Sequence, residues 1–354
     1  MAAAPLTADE RRFAVKRTLD LADPGEVPFL IEIGPFHAAT KEYYESDEAE
    51  LAWNLGYERD RRPVYDYGIS NIKPNLGIGF MASAFGCQAT ANAEADPWIK
   101  ATLREENASQ VYDLELPDLR ANAMYRRAFE RIEYLQTSAA LPLRLVNVAS
   151  PLVTASLIWD YTSFIEATLL FPNEAHELLE KVTEATIGFV REQLRRIKRL
   201  HALSHEMWYL PEEYGIRVSD DTAALMSPDL YREFGVRYNN RLSEAFGGIV
   251  VHSCGDLQNV VAVMMETKGL RGLDVTIPQN PRWDILKTAA AGKTSLNLRH
   301  FYWDHGRGVT VDAVEYTRKL LEVFGRRGIF IQTSAPDATG AAALGQRLHE
   351  ALRV

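Results

Sequence analysis

A chain of 354 residues, 47% hydrophobic and 25% charged, has the composition of an ordinary globular protein, which excludes a disordered tail, a collagen or a small cross-linked scaffold. Its 39 Lys and Arg against 48 Asp and Glu leave a formal net charge of −9 with no basic block, which argues against a nucleic-acid partner. No stretch approaches the ~18–20 apolar residues of a membrane span, and two cysteines, Cys87 and Cys254, cannot build a disulfide framework, so a reducing, cytoplasmic setting is expected. The opening MAAAPLTADERR carries charge before any apolar run of signal-peptide length, so no export signal is expected.

In chain order, Thr7 to Leu21 reads as an amphipathic helix. Glu10 stands three residues after Thr7, the spacing of a capping box. Pro24-Gly25 ends it, and Val27 to Ile33 is a short run of strand formers. Leu143 to Val148 reads as a strand running into Ser150-Pro151. Asn173 to Leu200 is a long helix, with Leu178, Leu179, Val182, Ile187 and Val190 near helical spacing. Glu206 to Leu210 is a strand candidate ending in Pro211-Glu212-Glu213-Tyr214-Gly215. Ser227-Pro228 opens a helix as N-cap and first helical residue. Gly248 to Val251 is a strand leading to His252-Ser253-Cys254-Gly255, and Leu257 to Thr267 is helical. Strands follow at Leu273–Ile277, before Pro278-Gln279, and at Thr294–Leu298. A helix over Val311–Phe324, a strand over Gly328–Thr333 and a last helix from about Ala341 to Leu352 complete the chain.

Short apolar strands alternating with amphipathic helices imply parallel pairing through crossover helices. About eight strand candidates over this length favour an α/β fold closed as a (β/α)8 TIM barrel. A single domain over 1–354 is expected, with an insert around 71–141, where the alternation is poorest and Asp96-Pro97-Trp98 has the look of a lid edge. In such barrels the active site lies at the carboxyl ends of the strands. The candidates to line one pocket are therefore Glu32, His37, Asn147, Ser150, Glu212, Glu213, His252, Cys254, Gln279, Asn297, Arg299, Gln332 and Ser334.

His252-x-Cys254 is the sharpest feature. On a strand, residues i and i+2 point the same way, so imidazole and thiol can face the barrel mouth together as a donor pair suited to zinc. Zinc in a catalytic site needs a third protein ligand, and a metal-free pair in the pocket wall is the plain alternative. Glu212-Glu213 and Asp220-Asp221 are two carboxylate pairs that offer acid/base groups, ligands for a cationic substrate or a third metal ligand. The plainer reading is that Asp220-Asp221 caps a turn before the Ser227-Pro228 helix start and that one glutamate faces solvent. Arg299-His300, with Trp303 and His305 beyond, forms a polar and aromatic cluster after the seventh strand.

These residues resemble the uroporphyrinogen decarboxylase superfamily, on its branch of cobalamin-linked methyltransferases of the methylcobamide:coenzyme M type. The resemblance spreads over nearly the whole chain. ERRFAVKRTLDLADPGEVPFLIEIG is similar to the opening helix and strand, AFGCQATANAEADPW to the stretch before the variable insert, and SPLVTASLIWDYTSFIEATLLFPNEAHELLEKV to the helices after the next strand. PEEYG followed by LMSPDLYREF, taken together with VVHSCGDLQNVV, is the specific part. The resemblance implies a barrel with a deep pocket at its carboxyl end, a small methylated substrate or thiol, and a methylated corrinoid carried by a separate small protein. It also implies His252 and Cys254 as zinc ligands, and barrels of this superfamily often pair as homodimers. The third ligand of the coenzyme M enzymes is a cysteine after the last strand, where Ile331-Gln332-Thr333-Ser334-Ala335-Pro336-Asp337 has no thiol. Two outcomes stay open: Glu213 takes the third position, or the site works without metal, with Glu213 or His252 as a general acid. A decarboxylase or lyase acting on a small or tetrapyrrole carboxylic acid is the alternative activity, although Gly34–Thr40 lacks the arginines of the tetrapyrrole enzyme.

Overall fold

The computed structural model describes residues 6–22, 25–34, 41–90, 97–301 and 311–353. His37, Trp303 and His305 lie outside them. Helix α1 (Ala8–Leu19) is capped as the sequence predicts: the Thr7 Oγ1 accepts from the Glu10 N–H at 3.2 Å, and the Thr7 N–H donates to the Glu10 carboxylate at 2.7 Å.

Strand β1 (Phe29–Ile33) follows, and then β2 (Leu143–Arg144), β3 (Leu200–Ala202), β4 (Ile216–Ser219), β5 (Ile249–Ser253), β6 (Leu270–Thr276), β7 (Ser295–His300) and β8 (Ile329–Ala335). Six of them form one parallel sheet in the order β1-β8-β7-β6-β5-β4, and β2 pairs in parallel with β3. The edges of the two sheets approach each other through single links. The Arg217 N–H donates to the Leu203 carbonyl at 2.9 Å, Ala149 bridges Ser219, and Ile72 bridges Leu143. The Tyr67 N–H donates to the Phe29 carbonyl at 2.9 Å. The architecture is thus TIM-barrel-like, a curled parallel sheet of six strands with a short pair beside it. The ladders of the described residues do not run as one continuous eight-strand ring.

The strands are buried on both faces, yet they alternate in chemistry. In β5 to β8, Ile249, Val251, Leu273, Val275, Leu296, Leu298, Ile329 and Ile331 are fully buried hydrophobics, and between them stand His252, Asp274, Asn297 and Gln332. A period of two puts the first set against the helices and the second in the interior. The helix layer includes α2 (Ala123–Ser138), α3 (Pro151–Ile158), α4 (Pro172–Arg196), α5 (Ala313–Phe324) and α6 (Ala338–Leu352). The insert region holds α2, a turn of 3-10 helix over Glu105–Asp113 and an antiparallel hairpin of Gln88–Thr90 with Trp98–Lys100.

Several local expectations change, among them the Leu143–Val148 strand, which shortens to Leu143–Arg144, and the Leu257–Thr267 helix, which shortens to Val261–Met264. The long helix stops at Arg196, and Leu200 begins β3 instead of ending the helix. Glu206 to Leu210 is not a strand: residues 203–209 bend through the structure, with Ser204 and His205 buried. Ile216–Ser219 is a strand that the apolar pattern hides, because Arg217 and Ser219 interrupt it and are themselves buried inside. The Ser227 cap stands as expected, its Oγ accepting from the Leu230 N–H at 3.3 Å. Replacing a capping serine by alanine costs about 1 kcal/mol, so Ser227→Ala should lower the free energy of urea unfolding by that amount.

Candidate functional site

The carboxyl end of β5 brings three different donors together. The His252 Nε2 lies 3.3 Å from the Cys254 Sγ and 3.8 Å from the Asp221 Oδ1, and the three ligand atoms fall within 4.8 Å of one another. Strand periodicity aims His252 and Cys254 to one side. Asp221 arrives from the turn after β4, where its Oδ1 accepts the Cys254 N–H at 2.6 Å. On the other side of the imidazole, Nδ1 lies 3.1 Å from the Asp274 carboxylate. The donor-only Arg299 Nη1 also lies 3.1 Å from Nδ1 and 3.4 Å from Nε2, so two tautomers have a partner. The one with its proton on Nδ1 toward Asp274 leaves the Nε2 lone pair toward Cys254 and Asp221, as a metal-binding histidine requires.

Beneath these groups a polar network fills the interior. The Asn297 amide donates to Asp274 at 2.9 Å and to the Gln332 carbonyl at 2.7 Å, and the Gln332 amide donates to Glu32. Arg217 pairs with Asp274. The Arg299 Nη1 lies 3.1 Å from the His252 Nδ1 and 3.5 Å from Asp274, with Glu206 at 3.9 Å, and its Nη2 lies 4.0 Å from Glu32. Three buried carboxylates, Glu32, Glu206 and Asp274, and the half-exposed Asp221 thus lie near Arg217 and Arg299, with the buried Arg144 guanidinium also acting on Glu206. Uncompensated buried charge is costly, so burial favours the protonated form of an acid that no guanidinium meets closely.

The shifts of the individual groups follow from burial first and from these neighbouring charges second. Burial pushes the Glu32 carboxyl up to about 7, against the pull of Arg299 and Gln332. Burial likewise raises Asp221 to about 6, opposed by the Cys254 N–H. Burial and then the neighbouring Asp221 push the Cys254 thiol up to about 11. The Glu206 carboxylate is buried too, yet Arg299 and Arg217 hold it well below the ordinary range. Burial and then Arg299 keep His252 neutral, the form that can donate a lone pair to a metal. Cys254 is therefore a thiol at neutral pH unless a positive charge arrives beside it.

The structure sorts the expected site residues clearly. Glu32, His252, Cys254, Asn297, Arg299 and Gln332 belong to this network. Gln279 borders it, its Oε1 accepting the Gly255 N–H at 2.6 Å just past Cys254. Asn147 is buried at the other sheet, where its Oδ1 accepts from the Leu76 N–H at 3.3 Å. Glu212 and Glu213 are not in the cluster. They precede β4, at its amino end, and are exposed, with Glu213 paired to Lys16 of α1 at 3.0 Å. The reason is the missed strand: with β4 at Ile216–Ser219, its carboxyl end is Asp220-Asp221 and not the Glu-Glu pair. The acidic residue that joins His252 and Cys254 is consequently Asp221. An exposed ion pair is worth little, so Glu213→Gln should change stability by less than about 0.5 kcal/mol and leave turnover unaltered. His300 faces away, its Nε2 3.1 Å from the Thr317 hydroxyl on α5.

Sequence reasoning passed over Asp274, Arg217 and Glu206. Asp274 carried a usable signal, since a carboxylate inside the apolar run LDVT has to be compensated by the fold. Glu206 carried none, because only the bend over residues 203–209 delivers it to Arg299.

The sequence model of the uroporphyrinogen decarboxylase (URO-D) family matches residues 17–197, just over half of the chain. No curated protein matches in sequence. Among solved structures, a methyltransferase from Methanosarcina mazei superposes with a TM-score of 0.68 at 15% identity, over 96% of this chain and 97% of that one. A B12-independent methionine synthase from Shewanella sp. W3-18-1 superposes with a TM-score of 0.49 at 10% identity, over 92% and 96%. At such identities the first of these likenesses speaks for the fold, which the interior network and the family match fill out: this chain belongs to the uroporphyrinogen decarboxylase family.

Proposed function

We propose that the chain is a methyltransferase that moves a methyl group between a small methylated substrate or thiol and a cobamide. The single observation carrying this reading is the Asp221, His252 and Cys254 cluster at the carboxyl ends of the strands. One oxygen, one nitrogen and one sulfur donor suit zinc, and three protein ligands are the number that leaves a position for substrate. The neutral imidazole and its Asp274 contact fit a dication there. Bound zinc would supply the charge that keeps a thiol deprotonated at neutral pH.

The chain's own residues do the rest. Asp274 orients His252, and Asn297 and Gln332 tie Asp274 to Glu32, so the acid on β1 is held in register with the donors on β5. Arg299 spreads its charge over Glu32, Glu206 and Asp274 and fixes their spacing. That engagement weighs against the alternative, a decarboxylase or lyase, which needs a guanidinium to receive the substrate's carboxylate. The similar fold of the Methanosarcina mazei methyltransferase supports the reading. With it we propose a closed (β/α)8 domain over the whole chain with its insert at 71–141, a separate small corrinoid protein as partner, a homodimer, and a cytoplasmic setting. None of the helices among the described residues is long and apolar enough to cross a membrane.

The test is metal analysis of the purified protein together with methyl exchange between cobalamin and a panel of methyl ethers, methylamines and thiols. The reading expects bound zinc and methylation or demethylation of the corrinoid by at least one class. Absence of exchange with every class, in both directions and in the zinc-loaded protein, overturns it.

A further inference from the structure

The Asp221 carboxylate is only as well placed as the turn that carries it. Next to it stands Asp220, a fully buried acid that reaches neither His252 nor Cys254 with its side chain. Its carboxylate is gripped on both oxygens. The Ser150 hydroxyl donates to Oδ1 at 2.6 Å, and the Tyr231 hydroxyl and the Asn239 amide each donate to Oδ2 at 2.8 Å. The Asp220 N–H in turn donates to the His252 carbonyl at 2.7 Å. Two donor ligands, Asp221 and His252, are thereby joined through the backbone of one anchored residue.

The grip depends on an irregularity in the helix over 228–246. It runs as α-helix at Pro228–Tyr231, as π-helix at Arg232–Val236 and as α-helix again from Arg237. In an unbroken α-helix, residues eight apart stand roughly 80° from each other around the axis. A π-turn takes in one extra residue, so Tyr231 and Asn239 behave as a pair seven apart, only about 20° out of line. Both then face Asp220, and the Asn239 amide also donates to the Tyr231 hydroxyl at 3.3 Å. Gly235 sits at the wide turn, where a Cβ would lie 2.4 Å from Cε2 of the Tyr231 ring. The Tyr231 ring therefore lies across the π-turn, and a side chain at 235 would displace it.

We propose that Asp220 is a positioning residue, and that the π-turn places Tyr231 and Asn239 on it so that Asp221 is presented to His252 and Cys254 as the third donor. This rests on the metal-centre reading above. A ligand whose neighbour is gripped in this way loses less freedom when the metal arrives than one on a loose turn, which has to be ordered first.

The experiment compares wild type with Tyr231→Phe, Asn239→Leu and Asp220→Asn by chelator competition for zinc and by the absorption spectrum of the cobalt(II)-loaded protein. Ser227→Ala, on the same helix but outside the grip, is the control for stability alone. Weakened zinc binding by about 10–100-fold and an altered cobalt spectrum in the three variants, with Ser227→Ala unmoved in both, is the expected result. Should Asp220→Asn fail to fold, Tyr231→Phe, which loses one hydroxyl, still decides the matter. Wild-type affinity and spectrum in a folded Tyr231→Phe and Asn239→Leu overturn the positioning role and leave the metal centre standing. Wild-type protein that binds no zinc or cobalt overturns both.

Discussion

Cys254→Ser and Asp221→Asn should each abolish stoichiometric zinc and lower methyl transfer by at least about 10²-fold, because loss of a direct ligand exceeds the 10–100-fold cost of losing an outer-shell partner. The chemistry differs between the two. Serine keeps the size of Cys254 but replaces a soft donor with a hydroxyl that stays protonated. Asparagine keeps the shape of Asp221 and its hold on the Cys254 N–H at 2.6 Å, but removes the charge. In the cobalt(II)-loaded protein, Cys254→Ser should therefore lose the thiolate-to-cobalt charge-transfer band, whereas Asp221→Asn should keep it at reduced occupancy. Full metal content in either variant would mean that the donors have been wrongly chosen.

Glu32→Gln should make the protein more stable and less active. The folded chain holds the Glu32 proton to about pH 7, against an ordinary value of 4.5. A raised carboxyl contributes stability while it is protonated, and the contribution is lost as pH climbs from about 4.5 to about 7. The full difference is about 3 kcal/mol, at 1.36 kcal/mol for each unit. Glutamine is the neutral isostere and its oxygen still accepts from Gln332, so urea unfolding at pH 8 should show the variant more stable by up to about 3 kcal/mol. Below pH 4.5 the two proteins should coincide. As the methyl group leaves, the atom it leaves behind needs a proton, and a carboxyl poised near 7 can donate one. Turnover should accordingly fall by ~10²–10⁴-fold in Glu32→Gln, and in wild type it should decline above about pH 7. A variant with wild-type turnover and an unchanged pH profile of stability would remove Glu32 from the chemistry.

The sequence by itself determined the parallel α/β architecture, the capped first helix, the Ser227 helix start and the pairing of His252 with Cys254. Each of these is a local matter: a capping box spans four residues, a strand alternates every two, and His-x-Cys on a strand needs no partner to share a side. It also marked Glu32, Asn297, Arg299 and Gln332, because polar residues inside or beside apolar runs must find compensation within the fold. Tertiary structure alone decided the third donor. Asp221 and Glu213 stand eight residues apart on either side of β4, and both are acidic residues in turns, so composition cannot rank them. One lies at the carboxyl end of the strand and the other at its amino end, and the strand between them was masked by a buried arginine, Arg217, whose charge is balanced by Asp274 from β6. Glu206 shows the same limit. Its neighbours in sequence predict a strand, yet residues 203–209 bend and bring its buried carboxylate to 3.9 Å from Arg299, 93 positions later in the chain, which offers the charge that such a carboxylate requires.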